Sequence, residues 1–175
     1  GLFYRREGSQ YVTMGEAVRR DPADYERSQV VLLGCPQDEG VGRNDGRVGA
    51  RRAPDEIRRA LYRFPCPAEV DSGAFFDLGD TVIAPALEET HRRHRAVVKK
   101  LLEDKRLLIV LGGGNDISYP DGAALAEVYA DILAFNIDSH FDVRADELRH
   151  SGTPYRQLLE EGHFNPKKFY QMANK

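Results

Sequence analysis

Asp138, His140 and Asp142 place two carboxylates and an imidazole in one short run, Asp-x-His-x-Asp. That donor set suits a divalent metal such as Mn²⁺ or Zn²⁺. In an extended segment alternate residues point the same way, so the three would share one side at steps of about 6.6 Å. A turn at the end of the segment would draw them together. The same residues also read, more plainly, as loop polars that cap a helix. The run before them, Ile132-Leu133-Ala134-Phe135-Asn136-Ile137, is apolar and of strand length. It suits a strand buried on both faces, and in an open parallel sheet ligands sit beyond the carboxyl ends of such strands.

Other segments offer groups to a site. Cys35 to Pro54 form a long loop holding four glycines. There Asn44, Arg47 and the backbone amides could face a ligand carboxylate or phosphate, or the loop could be a Gly-rich surface turn. It lacks the Gly-Lys-Ser/Thr ending of a phosphate loop. Gly112-Gly113-Gly114-Asn115-Asp116 follows an apolar run, and such glycines let the chain turn sharply and let another group approach the backbone closely. Its spacing does not match a dinucleotide fingerprint. Asp77 and Asp80 read as ligands or as turn formers beside Gly79. His91 and His94 sit among Arg92, Arg93 and Arg95, which oppose a cation, so they read as a partly buried helix face.

These groups need a frame. Val30 to Gly34, Ala74 to Asp80, Leu107 to Leu111, the run ending at Ile137, and Phe169 to Met172 have strand character. Pro54, Asp55 and Glu56 mark a helix start, with Ile57, Ala60, Leu61 and Phe64 as its expected apolar face. Leu87, His91, His94, Val98 and Leu101 recur at helical spacing. Asp121 is the expected cap of a helix whose core face is Ala124, Leu125, Val128 and Tyr129. The turn at Gly152 to Pro154 leads into another helix, Gly15 to Arg20 form a short one, and Val70 to Ser72 are extended or loop. Strands alternating with helices predict a three-layer αβα domain around a mainly parallel sheet.

The 175 residues suffice for one domain with a core, and 41% hydrophobic and 30% charged residues are ordinary for a globular protein. A net charge of -3 gives no electrostatic reason to expect nucleic acid. Cys35 and Cys66 are the only cysteines, which excludes a disulfide framework and a cysteine-based zinc site. No apolar run has membrane-spanning length. A cytoplasmic protein acting on a small molecule, without nucleic acid or membrane partners, is the expectation.

The order of the motifs carries more. The Gly-rich loop runs into Ala-Pro-Asp-Glu-Ile-Arg; then come Asp-Leu-Gly-Asp, Gly-Gly-Gly-Asn-Asp, Asn-Ile-Asp-Ser-His-Phe-Asp-Val-Arg and Ser-Gly-Thr-Pro-Tyr-Arg-Gln. Together, over residues 30–157, they resemble the ureohydrolase family of arginase, agmatinase and formimidoylglutamase. Phe141, Val143-Arg144 and the Ser-Gly-Thr-Pro-aromatic segment look most like the formimidoylglutamase branch. The resemblance implies an arginase-like fold and two Mn²⁺ ions whose bridging hydroxide attacks an amidine or guanidine carbon. It also implies hydrolysis of formimidoylglutamate to glutamate and formamide, as in histidine degradation, and assembly into a homo-oligomer. Asp138 would bridge the metals, Asp142 and His140 would each bind one, and Arg144 would pair with a substrate carboxylate. The family's Gly-Gly-x-His ligand is Asn115 here, a weaker neutral donor. The family's later Ser-x-Asp-x-Asp segment does not occur after Gln157. The expectation is therefore an N-terminal part of one domain, 1–175, truncated at its C-terminus and inactive alone. The alternative is a non-catalytic relative that keeps the fold for assembly or ligand sensing with a degraded metal site.

Overall fold

The structure is a computed structural model that describes residues 11–67 and 73–172; the expected Val70 to Ser72 segment lies outside them. The β-branched and leucine-rich run Val30–Gly34 forms strand β1, whose Val31, Leu32 and Leu33 are fully buried. Phe75–Asp80 (β2) and Leu107–Leu111 (β3) pair with it in parallel on either side. Because side chains alternate across a strand, β1 feeds two cores. Val31 and Leu33 pack with Phe76, Val98, Leu101 and Ala124, which come from β2 and from helices α4 (Leu87–Glu103) and α5 (Ser118–Val128), numbered in chain order. Leu32 packs on the other face with Met14, Val18 and Tyr62, from α1 (Met14–Ala17) and the end of α3 (Ala53–Leu61). Helices on both faces of a parallel sheet make the expected three-layer αβα frame.

Helix α3 starts as expected, with Pro54 in its first turn followed by Asp55 and Glu56. Its buried face is not the predicted one. Ile57 and Phe64 are exposed, and Pro54, Arg58 and Tyr62 point inward. The reason is an ion-pair network that apolar periodicity cannot register. Arg58, 3% exposed, donates to Asp80 Oδ1 at 2.6 Å, Asp77 Oδ1 at 2.9 Å and Gly79 O at 2.8 Å. Tyr62 Oη donates to Asp77 Oδ2 at 2.5 Å, and its hydroxyl is pushed up in pKa by burial and then by that carboxylate. Asp77 Oδ1 also accepts from the Gly79 amide at 3.0 Å, the turn-forming role read from the sequence, and with Asp80 it additionally holds α3 to β2.

Helix α4 buries His91 and His94 completely rather than partly. His91 Nε2 lies 2.7 Å from Asp116 Oδ2, and His94 bridges Thr81 Oγ1 at 2.6 Å and Asp121 Oδ1 at 2.9 Å. Asp121 accordingly sits inside the first turn of α5, which begins at Ser118, and is not its cap. Helix α5 touches structure on two sides. Ala124 enters the first core, while Tyr119 and Ala123 pack with Tyr155, Leu158 and Phe164. Tyr155 and Leu158 belong to α6 (Pro154–Glu160). Small residues allow this approach: a Cβ on Gly122 would stand 2.8 Å from Leu158 and Phe164.

The apolar run before Asp138 becomes strand β4, Ala134–Ile137, paired in parallel with β5, Phe169–Met172. Among the described residues these two strands form a separate sheet, not joined to β3. The expectation of burial on both faces is overturned: Phe135 and Ile137 are 58% and 79% exposed, and only Ala134 and Asn136 turn toward α5 and α6. A buried parallel strand needs cover on both faces, and here only one face is covered.

The loops at the carboxyl ends of β1 and β3 lock together. Gly114 N donates to Gln37 O at 2.9 Å, and a Cβ on Gly113 would fall 1.9 Å from that same oxygen. The three glycines therefore serve close loop packing.

Arg58→Ala would strand the buried Asp77 carboxylate without its partner and should lower the unfolding free energy by about 3–5 kcal/mol, read by denaturant titration. Gly113→Ala should destabilise by about 1–3 kcal/mol in the same measurement, because backbone rather than a side-chain tip must yield.

Candidate metal centre

Three loops converge at the carboxyl ends of the parallel strands, where an open α/β fold places its ligands. The loop after β1 forms a short helix, α2 (Glu39–Arg43), and brings Asn44. The loop after β3 brings Asn115, and the loop after β4 brings Asp138 to Arg144. They line one cavity of about 730 Å³ with Ser151.

Strand β4 stops at Ile137 because Asp138 turns the chain. Its Oδ1 accepts the His140 amide at 2.7 Å, a local side-chain-to-backbone turn. Asp142 has φ 48°, a left-handed conformation that aspartate tolerates better than most residues. Through this turn Asp138, His140 and Asp142 line the same cavity. Support comes from below, where Gln171 Nε2 on β5 donates to Phe141 O at 2.6 Å and Tyr155 Oη donates to Asn136 Oδ1 at 2.9 Å.

Burial, and then the negative charge of Asp138, holds the Asp142 carboxyl above its ordinary pKa. Two carboxylates that oppose each other's charge in a shared cavity are a natural place for a cation. Asn115 Nδ2 donates to Asp142 Oδ2 at 2.7 Å and to Ser151 O at 3.4 Å, while its Oδ1 accepts from Ser118 Oγ at 3.0 Å. The amide thus shows the cavity its donor side. Asp116, next in sequence, points elsewhere. Its Oδ2 accepts from Gln37 Nε2 at 2.6 Å and meets His91.

On the outer side, Arg144 is exposed and its Nη1 donates to Asn44 Oδ1 at 2.7 Å. Asn44 Nδ2 in turn donates to Ser151 Oγ at 3.0 Å. Arg47 is exposed and does not line the cavity that Asn44 and Arg144 share. Ser151 joins the lining although its residue type alone gives no signal of it. It stands beside the glycine of the Ser-Gly-Thr-Pro turn, and that turn was the available signal. Cys35 has no part: it is fully buried, and burial followed by the carboxylates of Asp121, Asp116 and Asp80 pushes its thiol up to about 12.

The chemistry of the donor set fits a divalent metal, with carboxylate oxygens and an imidazole on one wall. Among the described residues no group of three His, Cys, Asp or Glu side chains is gathered closely enough to hold an ion as it stands. His140 Nδ1 lies 3.3 Å from Asp138 Oδ1, with the imidazole 61% exposed. The donors are present and share a cavity, but their side chains are not converged.

Comparison with known proteins bears on this arrangement. The model of the arginase family matches residues 28–174. A formimidoylglutamase of Staphylococcus aureus is 39% identical over 140 residues, covering 77% of this chain and 43% of the relative. The crystal structure of a Trypanosoma cruzi formiminoglutamase with Mn²⁺ superposes with a TM-score of 0.84 at 36% identity, covering 95% of this chain and 58% of that one. An asparagine-to-histidine variant of the same enzyme with Mn²⁺ gives 0.85 at 34% identity, with 95% and 58% covered. The chain thus spans about half the length of the relatives it matches. Among the described residues no helix is long and apolar enough to cross a membrane. A family match running from β1 through β5, on a fold whose strand ends collect these same loops, means that this chain belongs to the arginase family.

Proposed function

We infer that this chain supplies part of the active site of a manganese-dependent hydrolase whose substrate is formimidoylglutamate, cleaved to glutamate and formamide. The observation that carries the reading is the shared cavity, lined both by Asp138, His140 and Asp142 and by the hydrogen-bonded pair Arg144 and Asn44. A substrate with an amidine at one end and carboxylates at the other needs both kinds of lining. Asp138, His140 and Asp142 would hold Mn²⁺, with Asn115 beside them. Bound metal of this kind supplies an acidified water and stabilises negative charge developing on the reacting carbon's substituents.

The chain's own residues account for the rest. Arg144 presents a planar guanidinium whose remaining N–H groups can pair with a carboxylate in two-point fashion. Asn44 accepts one N–H and so fixes the fork's direction. Phe141 and Val143 add apolar lining to the same cavity. Asn115 Oδ1 can reach the cavity only if the amide turns over, giving up Ser118 and withdrawing its N–H from Asp142. A negatively charged Asp142 favours the donor orientation, and a cation would favour the reverse. By resemblance the reading extends to histidine degradation, a cytoplasmic setting and a homo-oligomer.

A second reading has one specific observation behind it. With Asn115 presenting its donor side and no imidazole in its place, the cavity suits a relative that keeps the fold without the reaction. Against it, the Trypanosoma cruzi formiminoglutamase, in which an asparagine was the residue exchanged for histidine, is itself solved with Mn²⁺. That supports an asparagine being compatible with metal.

Asn115→His should tighten Mn²⁺ binding by about tenfold, measured calorimetrically, and an unchanged affinity would remove position 115 from the ligand set. Asp138→Asn should weaken Mn²⁺ binding by at least as much. In the whole protein that carries these residues, Mn²⁺ should be required for release of formamide from formimidoylglutamate. Hydrolysis of arginine or agmatine instead would move the substrate assignment. A Mn²⁺-loaded protein inert toward all three would favour the second reading.

A further inference from the structure

His150 is 5% exposed, although most of the loop leading to it is open to solvent. Its ring is engaged at both nitrogens. The Gly152 amide donates to Nδ1 at 3.0 Å, and Nε2 lies 2.8 Å from Asp146 Oδ2. An amide N–H can only donate, so Nδ1 carries no proton and the ring is held as the tautomer whose Nε2–H donates to Asp146. The same turn is closed again through Thr153, whose Oγ1 accepts from His150 N at 3.2 Å and donates to His150 O at 3.0 Å.

This turn borders the cavity without His150 lining it. Gly152 O accepts the Arg144 amide at 2.9 Å, and Ser151 Oγ accepts from Asn44 at 3.0 Å. Ser151 N donates to Gly40 O at 3.0 Å, tying the turn to α2. There is little slack: a Cβ on Gly152 would stand 3.2 Å from Arg144 Cδ and 3.3 Å from Asn44 Nδ2. A shift of the turn therefore moves both polar groups on the outer wall together.

We propose that His150 is a positioning residue: through its Nδ1 acceptor it locks the turn at residues 150–153, and the locked turn sets how Asn44 and Arg144 face a substrate carboxylate. The substrate end of this statement rests on the function inferred above; the lock does not. Asparagine and glutamine separate the two ring nitrogens, since the side-chain oxygen of Asn reaches the amide two residues on, as Nδ1 does, whereas Gln does not.

The test is amide hydrogen exchange by NMR on the chain without ligand. His150→Gln should speed exchange at Gly152 and Arg144 by about fivefold or more, while His150→Asn keeps both near wild type and the Val98 and Leu101 amides stay unchanged throughout. Unaltered Arg144 exchange in His150→Gln, or equal loss in His150→Asn, would overturn the proposal. If His150→Gln does not fold, Asp146→Ala attacks the exposed end of the lock. It should speed the same two amides, and no change there would overturn the proposal equally. Failure of the metal reading shows separately, as wild-type chain that takes up no Mn²⁺.

Discussion

One oxygen of Asp116 joins three parts of the chain. It accepts from Gln37 in the loop after β1 and meets His91 from α4, while its own backbone belongs to the loop after β3. Burying a carboxylate is costly unless it is paired, and a paired one fixes whatever carries its partners. Room for it is made by Gly40 and Gly114, where an added Cβ would lie 2.2 and 2.4 Å from Asp116 Oδ1. Asn115 and Asn44 are carried by the two loops so joined. The cavity's geometry therefore descends from a contact that lies behind it.

Around that contact the fold divides its labour. Strands β1 and β2 and helices α4 and α5 supply the first core, with Leu108 of β3 packed against it, and charged networks supply direction. Arg58 with Asp77 and Asp80 orients α3; His94 with Thr81 and Asp121 orients α4 against α5. In each case one end of the contact lies at or just past the carboxyl end of β2, at Asp80 or Thr81, where backbone groups alone cannot fix the approach of the next element. The loops that reach the cavity rest on these anchors.

Much of this could be read in the sequence. Strands such as Val30–Gly34 and Leu107–Leu111 show as short apolar runs, and Pro54 with two acids marks a helix start, because these signals are local. The shared location of Asp138, His140 and Asp142 was legible too, since a strand end followed by alternating ligands leaves few other arrangements. What could not be read depends on partners distant in the chain. Nothing near Arg58 announces Asp77, so apolar spacing alone picks the wrong inner face of α3. His91 looked half-buried because its neighbours are arginines, and its partner lies beyond the next strand. Arg47 and Asn44 are close in sequence, yet only Asn44 turns to the cavity, a matter decided by Ser151 and Arg144. The two-faced burial expected of the run at Ile132 to Ile137 failed because burial of a strand is a property of its neighbours.

The separation of β4 and β5 from the first sheet has a physical consequence of its own. Strand β3 is paired only with β1 and β4 only with β5, so each has a side on which no described strand pairs. Leu107, Ile109, Phe135 and Ile137 project from these same strands into solvent. Open edges with apolar side chains are templates for further strand pairing. In solution at high concentration, such a surface favours self-association by edge pairing, so the colloidal behaviour of this chain would be governed by its strands and not by its modest net charge.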